Sequence, residues 1–292
     1  MKIKLNSKKT QSPIGAHFSI SKGYKDAFSS AVEVGASAIQ IFSKNPMAAR
    51  FRKVTKEESQ EVKNFNREGL ISYAIIHASY LLNFARPLEE NSFPIKSLEE
   101  DLYNADMLGA DGVILHFGKS LTMEKDEAES NFVANIKTVL DKTSNLKAKI
   151  IIENTAGQGT EMGTMLPDLA RVFKKLGKDK RVRFCLDTAH AYGAGYDLKG
   201  VKSAEKVAEE IEKIIGVKNI ACIHINDSKK ELGSRVDRHE DIGRGTIGEA
   251  GLKSFIRAVT KKAGKPVPLI LETPQEFNTY KEQIKKVSSW CS

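Results

Sequence analysis

Short apolar runs alternate with longer helical patterns eight times along this chain, and few folds accommodate that rhythm. The runs are PIGAH (13–17), SAIQIF (37–42), ISYAIIH (71–77), GVILH (112–116), KIIIE (149–153), VRFCLD (182–187), IACIHI (220–225) and PLILE (268–272). Each has the length and the β-branched or aromatic content of a strand. Helical stretches lie between them, over 22–35, 55–69, 97–109, 124–142, 165–176, 203–216, 249–263 and 276–289. Thr55 followed by Glu58 marks a helix start, because each side chain can cap a main-chain N–H of the other. Strand then helix, eight times over, predicts an α/β fold: a single-domain (β/α)8 TIM barrel. Near-continuous apolar runs suit its strands, which are buried on both faces. No Pro/Gly/Ser-rich linker divides the 292 residues. The barrel domain is therefore expected over 13–292, with residues 1–12 a flexible basic tail.

The strand ends carry the chemistry. His17, His77, His116, Glu153, Asp187, His224 and Glu272 stand at or near the carboxyl ends of seven runs. In this fold those ends share one face, where active sites lie. The remaining two of the six histidines, His190 and His239, fall in the loops after strands 6 and 7. A buried structural histidine or a solvated acid explains any one of these alone. Convergence on one rim is a different matter. Glu153, Asp187, Asp237 and Glu272 would crowd four anions at one mouth, at a cost of roughly several kcal/mol each unless neutralised. Three divalent ions would bring +6 against −4 and leave a surplus suited to a phosphodiester. Imidazole with carboxylate ligation favours zinc, with manganese or iron possible.

The stretch GSRVDRHEDIGRG (233–245) fits the same reading. It sets Asp237 and His239 one residue apart among Arg235, Arg238 and Arg244. Plain solvation of the arginines is the alternative to phosphate contact. Composition agrees with an ordinary water-soluble protein: 40% hydrophobic, 28% charged, with no run long enough to span a membrane. A formal charge of +9 favours anionic partners such as nucleic acid. Three cysteines make neither a disulfide framework nor a CxxC site. Cys185 and Cys222 read as core residues, and a reducing, cytoplasmic setting is expected.

GAHFS (15–19), HASYL (77–81), IIENTAGQG (151–159), LDTAHAYGAGYDL (186–198), HINDSKKELGSRVDRHEDIGRGTIG (224–248) and LILET (269–273) together resemble the signature segments of the endonuclease IV family. The resemblance runs from about Ile14 to the final helix. It implies a zinc-dependent DNA-repair endonuclease with three ions per chain. His77, His116 and Glu153 would hold one ion. Glu153 would bridge to a second, completed by Asp187, His224 and Glu272. His190, Asp237 and His239 would hold the third; Asp237 and His239 can leave the same side of an extended segment. His17 would lie beside the cluster without binding it, or serve as a buried hydrogen-bonded histidine. The implied reaction is hydrolysis of the phosphodiester 5′ to an abasic site in double-stranded DNA, by a metal-activated water, leaving a 3′-hydroxyl and a 5′-deoxyribose phosphate. Removal of 3′-blocking groups follows from the same chemistry. Glu153 is the residue on which that scheme turns.

Tyr80 and Leu81 match the family's gap-filling positions beside the extruded nucleotide, against a plainer reading as rim packing. Asn45 and Met47 occupy the loop that probes the duplex, and Arg238 could meet phosphates. Here the chain departs from the family: Met47, Ala48 and Ala49 stand where an Arg-Gln-Trp-like wedge is usual, leaving Met47 as a flexible apolar wedge and Arg50 or Arg52 as the cation. HFG (116–118) replaces the frequent His-Pro-Gly and keeps the ligand. A monomer acting on DNA, with no membrane partner, is expected. The enzymatic alternative is a metal-dependent sugar isomerase or epimerase of the xylose-isomerase-like barrels, which needs neither His77, His116 nor the DRH loop. The other alternative is a DNA-binding scaffold with a decayed site, which the complete donor set argues against.

Overall fold

The computed structural model describes residues 11–291. Eight parallel strands form the barrel: β1 (Ile14–Phe18), β2 (Ala38–Phe42), β3 (Tyr73–His77), β4 (Gly112–His116), β5 (Lys149–Glu153), β6 (Val182–Asp187), β7 (Ile220–His224) and β10 (Leu269–Leu271). The barrel closes because β1 pairs with β2 on one side and β10 on the other. Two two-residue strands, β8 (Asp227–Ser228) and β9 (His239–Glu240), make an antiparallel ribbon above β7. The helices are α1 (Tyr24–Glu33), α2 (Lys56–Arg67), α3 (Phe93–Leu108), α4 (Lys125–Lys142), α5 (Leu166–Lys175), α6 (Thr188–Ala194), α7 (Val201–Ile214), α8 (Gly248–Ala263) and α9 (Tyr280–Ser288). Among the described residues no helix is long and apolar enough to cross a membrane.

Side chains alternate along each strand, and the alternation separates two cores. Ile76, Leu115, Ile152, Leu186, Ile223 and Leu271 face outward into the large helix-packed core. Ile75, Ile114, Ile151, Cys185 and Cys222 face inward and fill the barrel. Two residues beyond each inward residue stands His77, His116, Glu153, Asp187 or His224. The polar donors thus form the next layer of the same barrel interior, on top of an apolar plug.

The eight predicted strands and eight predicted helices are all present, and β4, β5 and β6 have the predicted bounds. The capping box at Thr55 and Glu58 forms, and a second one, Thr279 with Glu282, starts α9 later than the predicted 276. Helix α3 begins at Phe93 rather than 97, with Pro94 in its first turn, where a missing N–H costs nothing. Helix α6 lies where only a loop was expected. Its N-cap is Asp187, whose side chain accepts from the His190 N–H at 2.8 Å. The tail predicted over 1–12 lies outside the described residues as far as residue 10. At its edge Ser12 is buried, and the Pro13 carbonyl accepts from Leu269 N–H at 2.8 Å.

Two buried aspartates fasten the mouth loops. Asp227 accepts from the N–H groups of Ser228, Gly243, Ile247 and Gly248. Asp241 accepts from the N–H groups of Gln275, Phe277 and Asn278 and from the Gln283 amide. Between these anchors the chain must turn tightly. Gly243 has φ 79°, and a Cβ at Gly245 would strike the Ser228 carbonyl oxygen at 2.4 Å.

Candidate metal centre

All nine residues expected as ligands meet at one barrel mouth. His77 Nε2 and His116 Nε2 lie 3.4 and 3.2 Å from Glu153 Oε2. Glu153 is wholly buried, yet Oε2 has no hydrogen-bond partner among the described residues. On its other side, Glu153 Oε1 is 2.8 Å from His224 Nδ1, which is 3.1 Å from Glu272 Oε2 and 3.9 Å from Asp187 Oδ2. Asp237 reaches His190 Nε2 and His239 Nε2, both at 3.2 Å. His239 Nε2 also lies 3.5 Å from Asp187 Oδ2 and has no hydrogen-bond partner among the described residues. Among the described residues, three of the groups whose donor atoms lie within 4.8 Å of one another are made of these side chains alone: His77, His116 and Glu153; Glu153, Asp187, His224 and Glu272; and Asp187, His190 and His239. Asp187 therefore faces two groups, as Glu153 does, which the sequence reading did not anticipate.

The far nitrogen of four imidazoles is already engaged. His77 Nδ1 pairs with the Ala78 carbonyl at 2.8 Å and His190 Nδ1 with the Asn154 carbonyl at 3.0 Å. His239 Nδ1 pairs with the Glu272 carbonyl at 3.2 Å, and His224 Nε2 with Gln40 Oε1 at 2.8 Å. Those acceptors require an N–H, which leaves the opposite nitrogen to face the centre. The carboxylates are oriented likewise. Asn226 donates to Asp187 Oδ2 at 2.6 Å and accepts from the Glu272 N–H at 2.8 Å. Asn154 accepts from the Asp187 N–H at 2.8 Å. Gln40 donates to Glu272 Oε1 at 2.5 Å, with His17 Nδ1 2.9 Å from the same amide nitrogen.

Protons in this mouth act as countercharges. Burial alone would lower the His224 imidazole, but Glu153 and Glu272 more than offset it and raise it well above 6.5. Burial is likewise outweighed at His190, by Asp187 and Asp237, and at His239, which Asp187 and Asp237 push up to about 9. His77 is raised, chiefly by Glu153 acting against burial. His116, where burial prevails, falls to about 4. Despite burial, the histidines hold Glu153 and Glu272 well below the usual carboxylate range, and Asp237 also falls. Cations therefore fit the donor set: lone pairs converge on it, two buried donor atoms are orphaned, and any charge that leaves must be replaced.

The cleft above the centre has a volume of about 1240 Å³ and is lined by His17, Asn45, Tyr80, Arg238 and Tyr280, among others. Tyr80 is 62% exposed and Leu81 45%, next to the donor layer, and the Tyr80 ring lies 5.7 Å from that of His77. The loop carrying Asn45 and Met47 is fastened at both ends to α3. Lys44 pairs with Asp101 at 2.5 Å, the Arg52 N–H donates to Glu100, and Asn104 bonds the main chain of Arg52 and Val54. Its tip is free: Met47 is 69% exposed. Of the two arginines beside this tip, Arg52 is committed to Glu58 at 2.6 Å and lies over the Tyr24 ring. Arg50 is exposed. Phe51, not singled out from sequence, is half exposed beside Phe93. Arg238 is exposed, as expected.

Fold and site together define a parallel β/α barrel whose mouth gathers buried histidines and carboxylates suited to metal ions. Residues 28–290 match the family model described as xylose isomerase-like TIM barrel. The chain is 38% identical over 296 residues to a putative endonuclease 4 of Acanthamoeba polyphaga mimivirus, covering 95% of this chain and 93% of that protein. It is 34% identical to a probable endonuclease 4 of Haloarcula marismortui, over 90% of this chain and 92% of the relative. The crystal structure of endonuclease IV from Thermus thermophilus superposes with a TM-score of 0.80 at 30% identity, covering 95% and 98% of the two chains. A D-tagatose 3-epimerase-like protein superposes at 0.68 with 18% identity, which speaks to the fold alone. The chain belongs to the endonuclease IV family.

Proposed function

We propose that this chain is an apurinic/apyrimidinic endonuclease that hydrolyses the phosphodiester 5′ to abasic sites in double-stranded DNA and clears 3′-blocked ends. The observation that carries the reading is Glu153: a wholly buried carboxylate with Oε2 toward His77 and His116 and Oε1 toward His224. Zinc is the cation its donor set favours, three ions per chain. The first would take His77, His116 and Glu153; the second Glu153, Asp187, His224 and Glu272; the third His190, Asp237 and His239. Such ions supply positive charge for phosphoryl oxygens and make water acidic enough to react near neutral pH.

The chain's own residues do the rest. Glu153 fixes the spacing of two groups, and Asp187 ties the second to the third. Gln40, Asn154 and Asn226 hold imidazoles and carboxylates at fixed angles, so little reorganisation accompanies reaction. Tyr80 and Leu81 offer an apolar surface where a missing base leaves a gap, and an abasic nucleotide leaves the stack at low cost. Met47 probes the duplex, with Arg50 rather than Arg52 free to meet its phosphates. The chain acts as a monomer.

The direct test is elemental analysis of pure protein together with incision of a duplex carrying one tetrahydrofuran abasic analogue, which cannot undergo β-elimination. Near three zinc per chain with a 3′-hydroxyl product is expected; near one metal with sugar isomerisation and no incision points to the other branch of the fold. DNA binding should weaken with salt. With about five phosphates contacted, log K falls with a slope of about −4 to −5 against log salt; fluorescence anisotropy from low to physiological salt reads it, and a flat response counts against phosphate contact. Replacing Gln40 by Leu removes the anchor of His224 and Glu272. Metal retention should fall about 10–100-fold, read by titration against a zinc buffer, and unchanged retention would remove Gln40 from the scheme.

A further inference from the structure

One layer beneath the donor side chains the barrel interior is aliphatic at Ile75, Ile114 and Ile151. On β6 and β7 that layer is sulfur. Cys185 and Cys222 are register partners on adjacent strands, as Asp187 and His224 are two residues further on. Both thiols are fully buried and free. Their Sγ atoms and a ring nitrogen of His224 lie within 4.8 Å of one another. Tyr73 packs against the same plug, and its hydroxyl is buried without a hydrogen-bond partner among the described residues. The trio shares only His224 with the centre above it and contains no carboxylate.

We propose that Cys185 and Cys222, with His224 as third donor, form a separate site for a thiophilic divalent cation such as Cd2+ or Hg2+. Two sulfurs and one imidazole select soft ions over the hard ones that carboxylates prefer. Even zinc–sulfur bonds of roughly 2.3 Å put tetrahedral donors just under 4 Å apart, and a larger soft cation asks for a slightly wider spacing. Three donors already confined to 4.8 Å need to close by less than about 1 Å. Charge balances as well. Two neutral thiols and one M2+ give a neutral dithiolate complex and two protons, which pass to solvent. No net charge is left in the apolar plug, so the large cost of burying an isolated ion does not arise. An ion held there draws His224 downward, away from Glu153 and Gln40. A soft metal would then disturb the upper centre from below rather than by replacing its ions. The site rests on strand register and burial and stands apart from the proposed nuclease activity.

The test uses the full-length zinc-loaded protein, reduced, with Cys291→Ser so that Cys185 and Cys222 are the remaining thiols. Cd2+ is added to the folded protein and, in a second sample, during refolding. X-ray absorption at the cadmium edge counts sulfur ligands, and near-ultraviolet spectra report thiolate-to-metal charge transfer. Two Cd–S bonds per chain are expected in at least one preparation, with the band lost in Cys185→Ala and Cys222→Ala versions. Cadmium bound through oxygen and nitrogen alone in both preparations overturns the site, as does a band that persists with both cysteines replaced. The sulfur count is made on protein that keeps both residues, so it decides even where an alanine version fails to fold.

Discussion

Glu153→Gln should abolish most incision while leaving abasic DNA bound. The amide keeps the shape of the carboxylate but not its charge, and its nitrogen brings N–H donors where the mouth needs lone pairs. Oε2 lies between His77 and His116 and Oε1 beside His224, so either placement of the amide disturbs a metal group. Losing a residue that merely orients a ligand costs about 10–100-fold. Losing the carboxylate shared by two groups should cost more, at least about a thousandfold in single-turnover rate. Tyr80, Leu81, Met47 and Arg50 lie outside the substitution, so affinity for the tetrahydrofuran duplex should change little. Single-turnover cleavage paired with equilibrium binding reads both quantities. Turnover near that of the unaltered protein would sink the bridging role.

Stripping the metals should have the second large effect, on stability as well as rate. Each ion bound only by the folded chain adds about 4 kcal/mol when free metal stands a thousandfold above its dissociation constant. With an unfolding entropy of about 2 cal/mol/K per residue over 292 residues, that corresponds to roughly 6–7 °C in melting temperature per ion. Calorimetry before and after dialysis against a chelator measures it; unchanged melting together with unchanged activity would rule out a resident cluster. Protons should move the opposite way. The imidazoles of His77, His190, His224 and His239 are raised in the metal-free mouth, His239 to about 9, so each keeps a proton on the nitrogen facing the centre to higher pH than a free imidazole would. Metal must displace those protons, so loading releases them and apparent affinity falls as pH falls. Titration calorimetry in two buffers of different ionisation enthalpy counts the release.

How much of this could be read from the chain follows from where polarity interrupts the apolar runs. β4, β5 and β6 have their predicted bounds because His116, Glu153 and Asp187 end them abruptly. β1 runs one residue past His17, since Phe18 continues the apolar run and leaves no such signal. Helix α6 was illegible because its cap is the last residue of β6: Asp187 ends a strand, starts a seven-residue helix and faces the ring of metal-type donors. Gln40, Asn154 and Asn226 were passed over because an uncharged amide suggests no particular chemistry. One signal was available for Gln40. An amide inside a strand buried on both faces must have partners, and the nearest polar layer is the donor ring. In the loop at 44–54 the sequence displays the tip but not the roots, because the acids that hold Lys44 and Arg52 belong to α3, some fifty residues along the chain.

The alternation of the two cores sets a limit on how such a barrel can vary. Donor ring and oily plug are interleaved on the same strands like the teeth of two combs. Adding one residue within β5 would swing Glu153 out among the helices and turn an isoleucine into the mouth. Strand length here is counted in twos, so new chemistry must arrive by exchanging residues at the rim or by lengthening loops. Slippage within the staves is closed as a route of change.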